Sequence, residues 1–315
     1  MHMAIIGAGI AGLSCAESLR RGGHEVTVFE KSRGIGGRIA TRRTPEDLRF
    51  DHGAQFFTVQ SRAFRQFLAG DVKKWNAVGE FDQSRNWYVG TPDIKSFLRP
   101  VAKTLDIRLN SQIDEIKPLN NGWELLTDAG HVEEFERVII TAPAPQTAKL
   151  TPFSNVFQEL TQKVVMEPCW TLMLAFIDPV EKSFDVKKSV HASIDWMARN
   201  SSKWGRRERP DCWVVHATPQ WSRENLEVSR DEVLGALLPE LLPELGKTED
   251  DLLYFSAHRW RYANVSTPIG QPFITDETGR LFGAGDWCAG TCVEHAFTSG
   301  YELSRHIRAQ FFRAA

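Results

Sequence analysis

The chain opens MHMAIIGAGIAG, and these residues constrain its fold more than any other stretch. Met3 to Ile6 form a short apolar strand that runs straight into Gly7-Ala8-Gly9-Ile10-Ala11-Gly12. A helical run follows, then a second strand from His24 to Phe29 that ends at Glu30. Gly7 permits a sharp turn off the strand, Gly9 lets the backbone approach a pyrophosphate, and Gly12 lets helix and strand pack closely. The helix start offers free N–H groups and a positive dipole end to the phosphates. Glu30 stands where a carboxylate accepts both hydroxyls of an adenosine ribose. Strand, glycine turn, helix, strand and acid in register are the context that a dinucleotide-binding fingerprint requires.

Glu30 also restricts the ligand, because its charge repels a phosphorylated ribose and so disfavours an NADP-type ligand in this pocket. Lys31 and Arg33 beside it either soften that repulsion or face solvent; Lys31 is counted with the cofactor-contacting set. The choice between NAD and FAD falls to Gly34-Ile35-Gly36-Gly37-Arg38. A nicotinamide enzyme has no need of this second flexible, cationic turn. FAD is longer past the pyrophosphate, and such a turn can cover its phosphates and ribityl chain, with Gly37 close to them and Arg38 as counter-charge.

At 315 residues the chain can bury a large core, and two interleaved domains are expected. A net charge of −2 gives no basic surface for nucleic acid or an anionic membrane. No apolar stretch approaches a membrane span, and the N-terminus lacks the basic leader of a signal peptide. The five cysteines are odd in number and are expected as reduced thiols in a cytoplasmic protein. Cys288, Cys292 and His295 lack the spacing of a metal site, so no metal is expected.

The nucleotide-binding domain reads as discontinuous: residues 1–60, 105–150 and 265–315, with 61–104 and 151–264 forming a substrate domain. Residues 61–69 and 93–104 have helical spacing. Ile107 to Leu109, Ile113 to Ile116, Gly122 to Thr127 and Val132 to Phe135 alternate like antiparallel strands. Val138 to Thr141 is a β-branched run closed by Ala142 and Pro143, as for a buried parallel strand. Later, Cys169 to Phe176 and Trp213 to Ala217 are strand-like, and an amphipathic helix is expected near 231–242. Leu281 to Gly283, Ala284, Gly285 and Asp286 form another buried strand ending in an acid. Thr291 and Glu294 then have the spacing of a capping box at the head of a helix running to about Phe312. Asp286 would hold a ribityl or ribose hydroxyl, and the helix dipole would stabilise negative charge on a reduced flavin pyrimidine.

These motifs together resemble the FAD-dependent amine oxidoreductase superfamily. Asp51-His52-Gly53-Ala54-Gln55-Phe56-Phe57-Thr58, Arg199 to Lys203, His216 to Ser222 and His258 to Ala263 resemble its bacterial renalase group more narrowly. The resemblance implies an α/β fold, with a Rossmann-like FAD-binding domain of the amine oxidase/p-hydroxybenzoate hydroxylase type and an inserted mixed α+β substrate domain. It implies non-covalent FAD and oxidation of the 2- and 6-dihydro isomers of NAD(P)H to NAD(P)⁺, with molecular oxygen leaving as hydrogen peroxide. It carries cofactor contact onto Ala11, Glu30, Arg38, Ala54, Gln55, Ile113, Ala142, Asp286 and the segment Val293, Glu294, His295, Ala296, with Gly285 beside them. His295 departs from the glycine common in relatives; it touches the flavin, fills part of the pocket or faces solvent.

A dihydropyridine ring is already a hydride donor, so no general base is obligatory and no catalytic residue is assigned. Phe57, Trp260, Tyr262 and Trp287 are the candidate aromatic walls. Asn200, Ser201, His216 and Gln220 are candidates to bond the carboxamide. Lys203, Arg206, Arg207 and Arg209 are candidates for the substrate's phosphates. Two other readings stay open: an amine oxidase or flavin desaturase, in which His216 or His258 serves as base, and a flavin-binding protein without turnover. Oligomeric state is left open.

Overall fold

The N-terminal strand, His2–Ile6, lies inside a six-stranded sheet in this computed structural model, which describes residues 2–68, 71–80 and 84–312. The order is Ile274–Thr275, Leu281–Gly283, Arg137–Ile140, His2–Ile6, Glu25–Glu30 and Asp106–Leu109. All neighbours run parallel except the Ile274–Thr275 edge. Ile5, Val28 and Ile139 are fully buried, which is why these strands read as unbroken apolar runs.

The Asp106–Leu109 strand corrects one expectation. It pairs in parallel with Glu25–Glu30, Val28 opposite Ile107, rather than joining the antiparallel set. Alternation reports a partly exposed strand, and this one is exposed because it lies at the sheet's edge, not because it is antiparallel. Ile113–Leu119, Gly122–Thr127 and Val132–Phe135 do form a separate antiparallel sheet.

Two helices cover the first sheet at very close range. Ile10–Arg21 packs on Val293–Phe312, and a Cβ on Gly300 would lie 2.0 Å from the Ala11 carbonyl oxygen. A Cβ on Gly12 would lie equally close, 2.0 Å, to the Gly7 oxygen. Only glycine permits these approaches.

The second sheet runs Leu252–Thr267, Val165–Phe176, Asp211–Ala217, Ile194–Arg199, Val186–Lys188 and Gly79–Glu80. One face is sealed by the helix Arg230–Leu245, which buries Leu237, Leu241 and Leu245 against Trp170 and Trp213. This helix starts at a capping box of Ser229 and Glu232 and stops at Gly246, whose φ is +67°. The sixteen-residue strand Leu252–Thr267 was not legible in the sequence: it lies at the sheet edge, half-exposed, with charges interrupting its alternation. The helical spacing near 61–69 becomes Arg62–Phe67, and that near 93–104 becomes the short turns Ser96–Leu98 and Arg99–Ala102. The latter pack Phe97, Leu98 and Val101 into the same core as Leu13 and Leu19. No helix among the described residues is long and apolar enough to cross a membrane.

Candidate cofactor and substrate site

A cavity of about 2480 Å³ runs from the carboxyl ends of the first sheet to the uncovered face of the second. Small-molecule pockets are roughly 300–1,000 Å³, so this one has room for a dinucleotide cofactor and a substrate together.

At one end the wall is mostly backbone. Gly7, with φ +111°, turns the chain off its strand, and Gly9 starts the first helix. A Cβ on Gly9 would meet no protein atom within 4 Å, and the residue has no side chain to cap the helix, so its first N–H groups stay available for an anion. Glu30 is buried, and each carboxylate oxygen already accepts one backbone N–H at 2.9 Å, from Ala8 and from Ser32. Held that way, it keeps a second lone pair on each oxygen for ribose hydroxyls. The Gly34–Arg38 turn lies alongside, with Gly36 N–H donating to the Ala8 carbonyl at 2.9 Å. Arg38 and Asp286 both line the cavity and bind one another through two hydrogen bonds of 2.7 and 2.6 Å.

At the other end the wall is made of side chains. Alternate residues of a strand share a face, and the register sets Trp196, His216, Thr171 and His258 in a row across four strands, with Cys169 opposite Trp260. All line the cavity, as do Tyr262 and His52. Trp260 Nε1 donates to the His52 carbonyl at 2.9 Å, and the His52, His258 and Trp260 rings lie within 5.1 Å of one another. Burial keeps these imidazoles neutral: His52 is pushed down to about 3, His216 to about 4 and His258 to about 4. Neighbouring charge adds to the effect, chiefly Lys203 for His216 and Arg42 for His258, whose Nδ1 lies 3.2 Å from the Arg42 guanidinium.

Beneath this end lies an ionic floor. Asp51 is fully buried and accepts from Thr41 at 2.7 Å, from the Ile94 N–H at 3.2 Å, and from Arg206 and Lys203. Burial alone would raise its pKa, but the Arg206 and Lys203 charges hold it below the usual carboxylate range. Lys203, itself pushed down to about 8 mainly by burial, donates to Gln55 Oε1 at 3.1 Å and to Asn200 Oδ1 at 3.2 Å. Gln55 then carries the network to the cavity wall, its Nε2 lying 3.5 Å from His216 Nε2.

Of the residues expected at the cofactor, Gly7, Gly9, Ala11, Glu30, Lys31, Gly37, Arg38, Ala54, Gln55, Ile113, Ala142, Gly285, Asp286, Val293, His295 and Ala296 line the cavity. Gly12 stays behind it as a packing position. Glu294 does not line it: its carboxylate accepts the Gln60 and Ser61 N–H groups at 2.8 and 2.6 Å, ahead of the helix Arg62–Phe67. The capping box expected with Thr291 is therefore not formed, and the last helix starts at Val293. His295 is seated on Gly290, where a Cβ would fall 2.2 Å from its Nδ1.

Of the substrate candidates, His216, Trp260 and Tyr262 line the cavity. Phe57 reaches its wall but is only 2% exposed, packed against Phe64 and Phe97. Trp287 is a core residue, its indole N–H spent on the Ala142 carbonyl at 3.0 Å. Asn200 and Ser201 are also internal: Asn200 bonds the Arg49 carbonyl and Ser201 accepts the Cys212 N–H. Gln220 bonds Glu224 on an outer helix. The basic cluster corrects a further expectation, since none of Lys203, Arg206, Arg207 and Arg209 lines the cavity. Lys203 and Arg206 serve Asp51, and Arg207 pairs with Asp47.

The sequence reading missed an aromatic group. Phe56 stacks on Trp87 at 3.8 Å, with Trp196 at 5.8 Å from the former and 5.6 Å from the latter, and all three line the cavity. Pairing Trp196 with His216 across two strands would have found it, but the strand Ile194–Arg199 went unrecognised. Among the described residues no group of three or more His, Cys, Asp and Glu is placed to hold a metal ion.

Comparison with known proteins agrees with this geometry. Residues 5–70 match an NAD(P)-binding Rossmann-like domain, and residues 84–308 match the flavin-containing amine oxidoreductase family. The chain is similar to renalase of Mus musculus, 25% identical over 300 residues, covering 84% of this chain and 85% of that protein. A shorter similarity, 32% over 125 residues, links 38% of the chain to 23% of an L-amino acid oxidase from Crotalus durissus cumanensis. Wild-type putrescine oxidase bound to putrescine shares the fold, with a TM-score of 0.74 at 13% identity over 98% of this chain and 99% of that one. The match over residues 84–308, joined to the fingerprint at Gly7–Gly12, makes this chain a member of the flavin-containing amine oxidoreductase family, with non-covalently bound FAD as its cofactor.

Proposed function

We propose that this protein is an oxidase of isomeric dihydronicotinamide dinucleotides, converting the 2- and 6-dihydro forms to NAD(P)⁺. FAD, when bound, supplies the two-electron acceptor, and molecular oxygen then takes the electrons as hydrogen peroxide. Gly9, Ala11 and the first helix would hold its pyrophosphate, Glu30 its ribose, and Val293, His295 and Ala296 its pyrimidine edge. The residue types fit: open glycines and a helix N-terminus for phosphate, an anchored carboxylate for hydroxyls, and a second helix N-terminus for the ring.

The observation that carries the substrate reading is the neutral ring end inside a cationic cavity. Its imidazoles titrate at about 3 and 4, so at neutral pH they offer flat, uncharged walls beside Trp260 and Trp196. Eleven lysines and arginines line the cavity against four carboxylates; with Arg38 paired to Asp286, Arg43 and Arg99 to Asp93 and Arg261 to Glu227, the other seven cations still outnumber the other three lining carboxylates. An uncharged ring carrying phosphates suits this surface. An amine does not, because it must shed its ammonium proton, and an imidazole of such low basicity is a weak acceptor for it. The chain's own task is to stack the ring at near-attack distance and exclude water.

The test is anaerobic mixing of the flavoprotein with 2- and 6-dihydro-NAD(P), ordinary NADH and a panel of amines while flavin absorbance is followed. Rapid bleaching by a dihydro isomer alone, with peroxide on re-aeration, is the expected result. Bleaching by amines alone would replace this reading with amine oxidation. Failure of every donor would leave a binding protein without turnover.

A further inference from the structure

The wall between the two ends carries a cluster of cations that the cofactor fingerprint leaves unused. Asp93, with its side chain 2% exposed, accepts Ser96 Oγ at 2.8 Å and Arg43 at 3.2 Å, and also binds Arg99. Beside these stand Lys95, half-buried, and Arg33; among the described residues neither makes an ion pair. One buried carboxylate thus faces Arg43, Arg99 and Lys95, Arg33 stands near Lys95, and all four cations line the cavity. At Lys95 burial lowers the pKa by more than the nearby Asp93 charge raises it, and Arg99, Arg43 and Arg33 lower it further.

We infer that Arg33, Arg43, Lys95 and Arg99 form a phosphate subsite that takes the diphosphate of the dinucleotide substrate, an assignment that rests on the dihydronicotinamide reading above. Two placements favour substrate phosphate over cofactor phosphate. The Gly34–Arg38 turn stands between the cluster and the first helix: a Cβ on Gly37 would face Gly9 Cα at 3.5 Å, whereas Cβ atoms on Gly34 and Gly36 would face Lys95 at 3.4 and 3.5 Å. On the other side, Arg42 adjoins Arg43 in the chain and reaches His258 at 3.2 Å. One short strand thereby links the ring end to the cations, the path a dinucleotide follows once its ring lies on Trp260. Lysine and arginine around a preorganised acid suit the delocalised charge of a diphosphate.

The experiment compares flavin reduction by a dihydronicotinamide dinucleotide with that by the phosphate-free riboside of the same ring isomer. The dinucleotide's advantage in half-saturation should fall about tenfold in Lys95→Met and be retained in Lys95→Arg. An unchanged advantage in Lys95→Met overturns the subsite. So does loss of flavin from that variant with the advantage intact after reloading, which would give the cluster to FAD. If no dihydronicotinamide reduces the wild-type flavin, the function falls on its own. The subsite is then read from ADP-ribose perturbing the flavin spectrum: binding weakened about tenfold in Lys95→Met sustains it, and equal binding overturns it.

Discussion

At the nucleotide end of the cavity the groups that meet the ligand belong to the main chain or are fixed by it: Gly7, Gly9, the first turn of a helix, and a carboxylate gripped by two backbone N–H groups. At the ring end they are imidazoles and indoles, most of them from three strands, resting on a buried cluster of Asp51, Lys203 and Arg206. The first arrangement is rigid because it is main chain tied by backbone hydrogen bonds, packed where Gly7 and Gly12 leave no room for a Cβ. The second is rigid only while its ionic floor is intact. Damage should therefore appear as lost cofactor at one end, and as lost stability or altered turnover at the other.

The largest effect should come from the floor. Asp51→Ala leaves Lys203 and Arg206 buried without a counter-charge, and should cost about 3–5 kcal/mol of stability, read as a fall in denaturation midpoint. A midpoint within about 0.5 kcal/mol of wild type would show that the floor supports nothing. Next comes Glu30→Ala, which removes the ribose acceptor and the partner of the Ala8 and Ser32 N–H groups. FAD affinity should drop roughly 100-fold with the fold retained, since charged hydrogen bonds are worth about 1.5–3 kcal/mol. Normal flavin retention would remove Glu30 from the site.

The same contrast explains what could be read in advance. Gly7, Gly9, Gly12, Glu30 and Gly37 were legible because each answers a local demand of backbone geometry, and such demands are written in consecutive residues. Trp287 and Trp196 were not. Both are tryptophans on or beside strands, yet one turns inward to the Ala142 carbonyl and the other faces the cavity beside His216. For Trp196 the choice depends on sheet register and on which face the helix Arg230–Leu245 covers, and for Trp287 on how the turn Asp286–Ala289 packs beside the first sheet, neither of which is local. Lys203 misled for a related reason: a lysine in a basic run looks free to meet a substrate's phosphates, and only the fold brings Asp51 to it across 152 positions. Glu294 was expected to cap its own helix, but a carboxylate at a helix start can equally satisfy N–H groups of another segment, here Gln60 and Ser61.

Trp260→Ala tests the ring end more gently. Its indole packs with His52 and His258 and bonds the His52 carbonyl, without touching the nucleotide cradle. Flavin reduction should slow about tenfold, in keeping with a stacking contribution of about 1–1.5 kcal/mol, while FAD stays bound. Unchanged reduction kinetics would take Trp260 out of the site.

The smallest effect on turnover should come from pH. His52, His216 and His258 are held neutral with pKa values of about 3, 4 and 4, below the ordinary histidine value of 6.5. The rate of flavin reduction should then show no histidine inflection above about pH 6. Stability behaves differently. Between the ordinary value and the lowered one, the unfolded chain binds the protons that the folded chain refuses, so unfolding becomes easier as pH falls through that window. The melting temperature should be level above about pH 7 and should decline from about pH 6.5 toward 4. His216→Gln should make that decline shallower, because one proton-refusing site is gone. A rate inflection near pH 6.5 with a level melting temperature would mean that the imidazoles are accessible and titrating, and the amine reading would then regain a usable base.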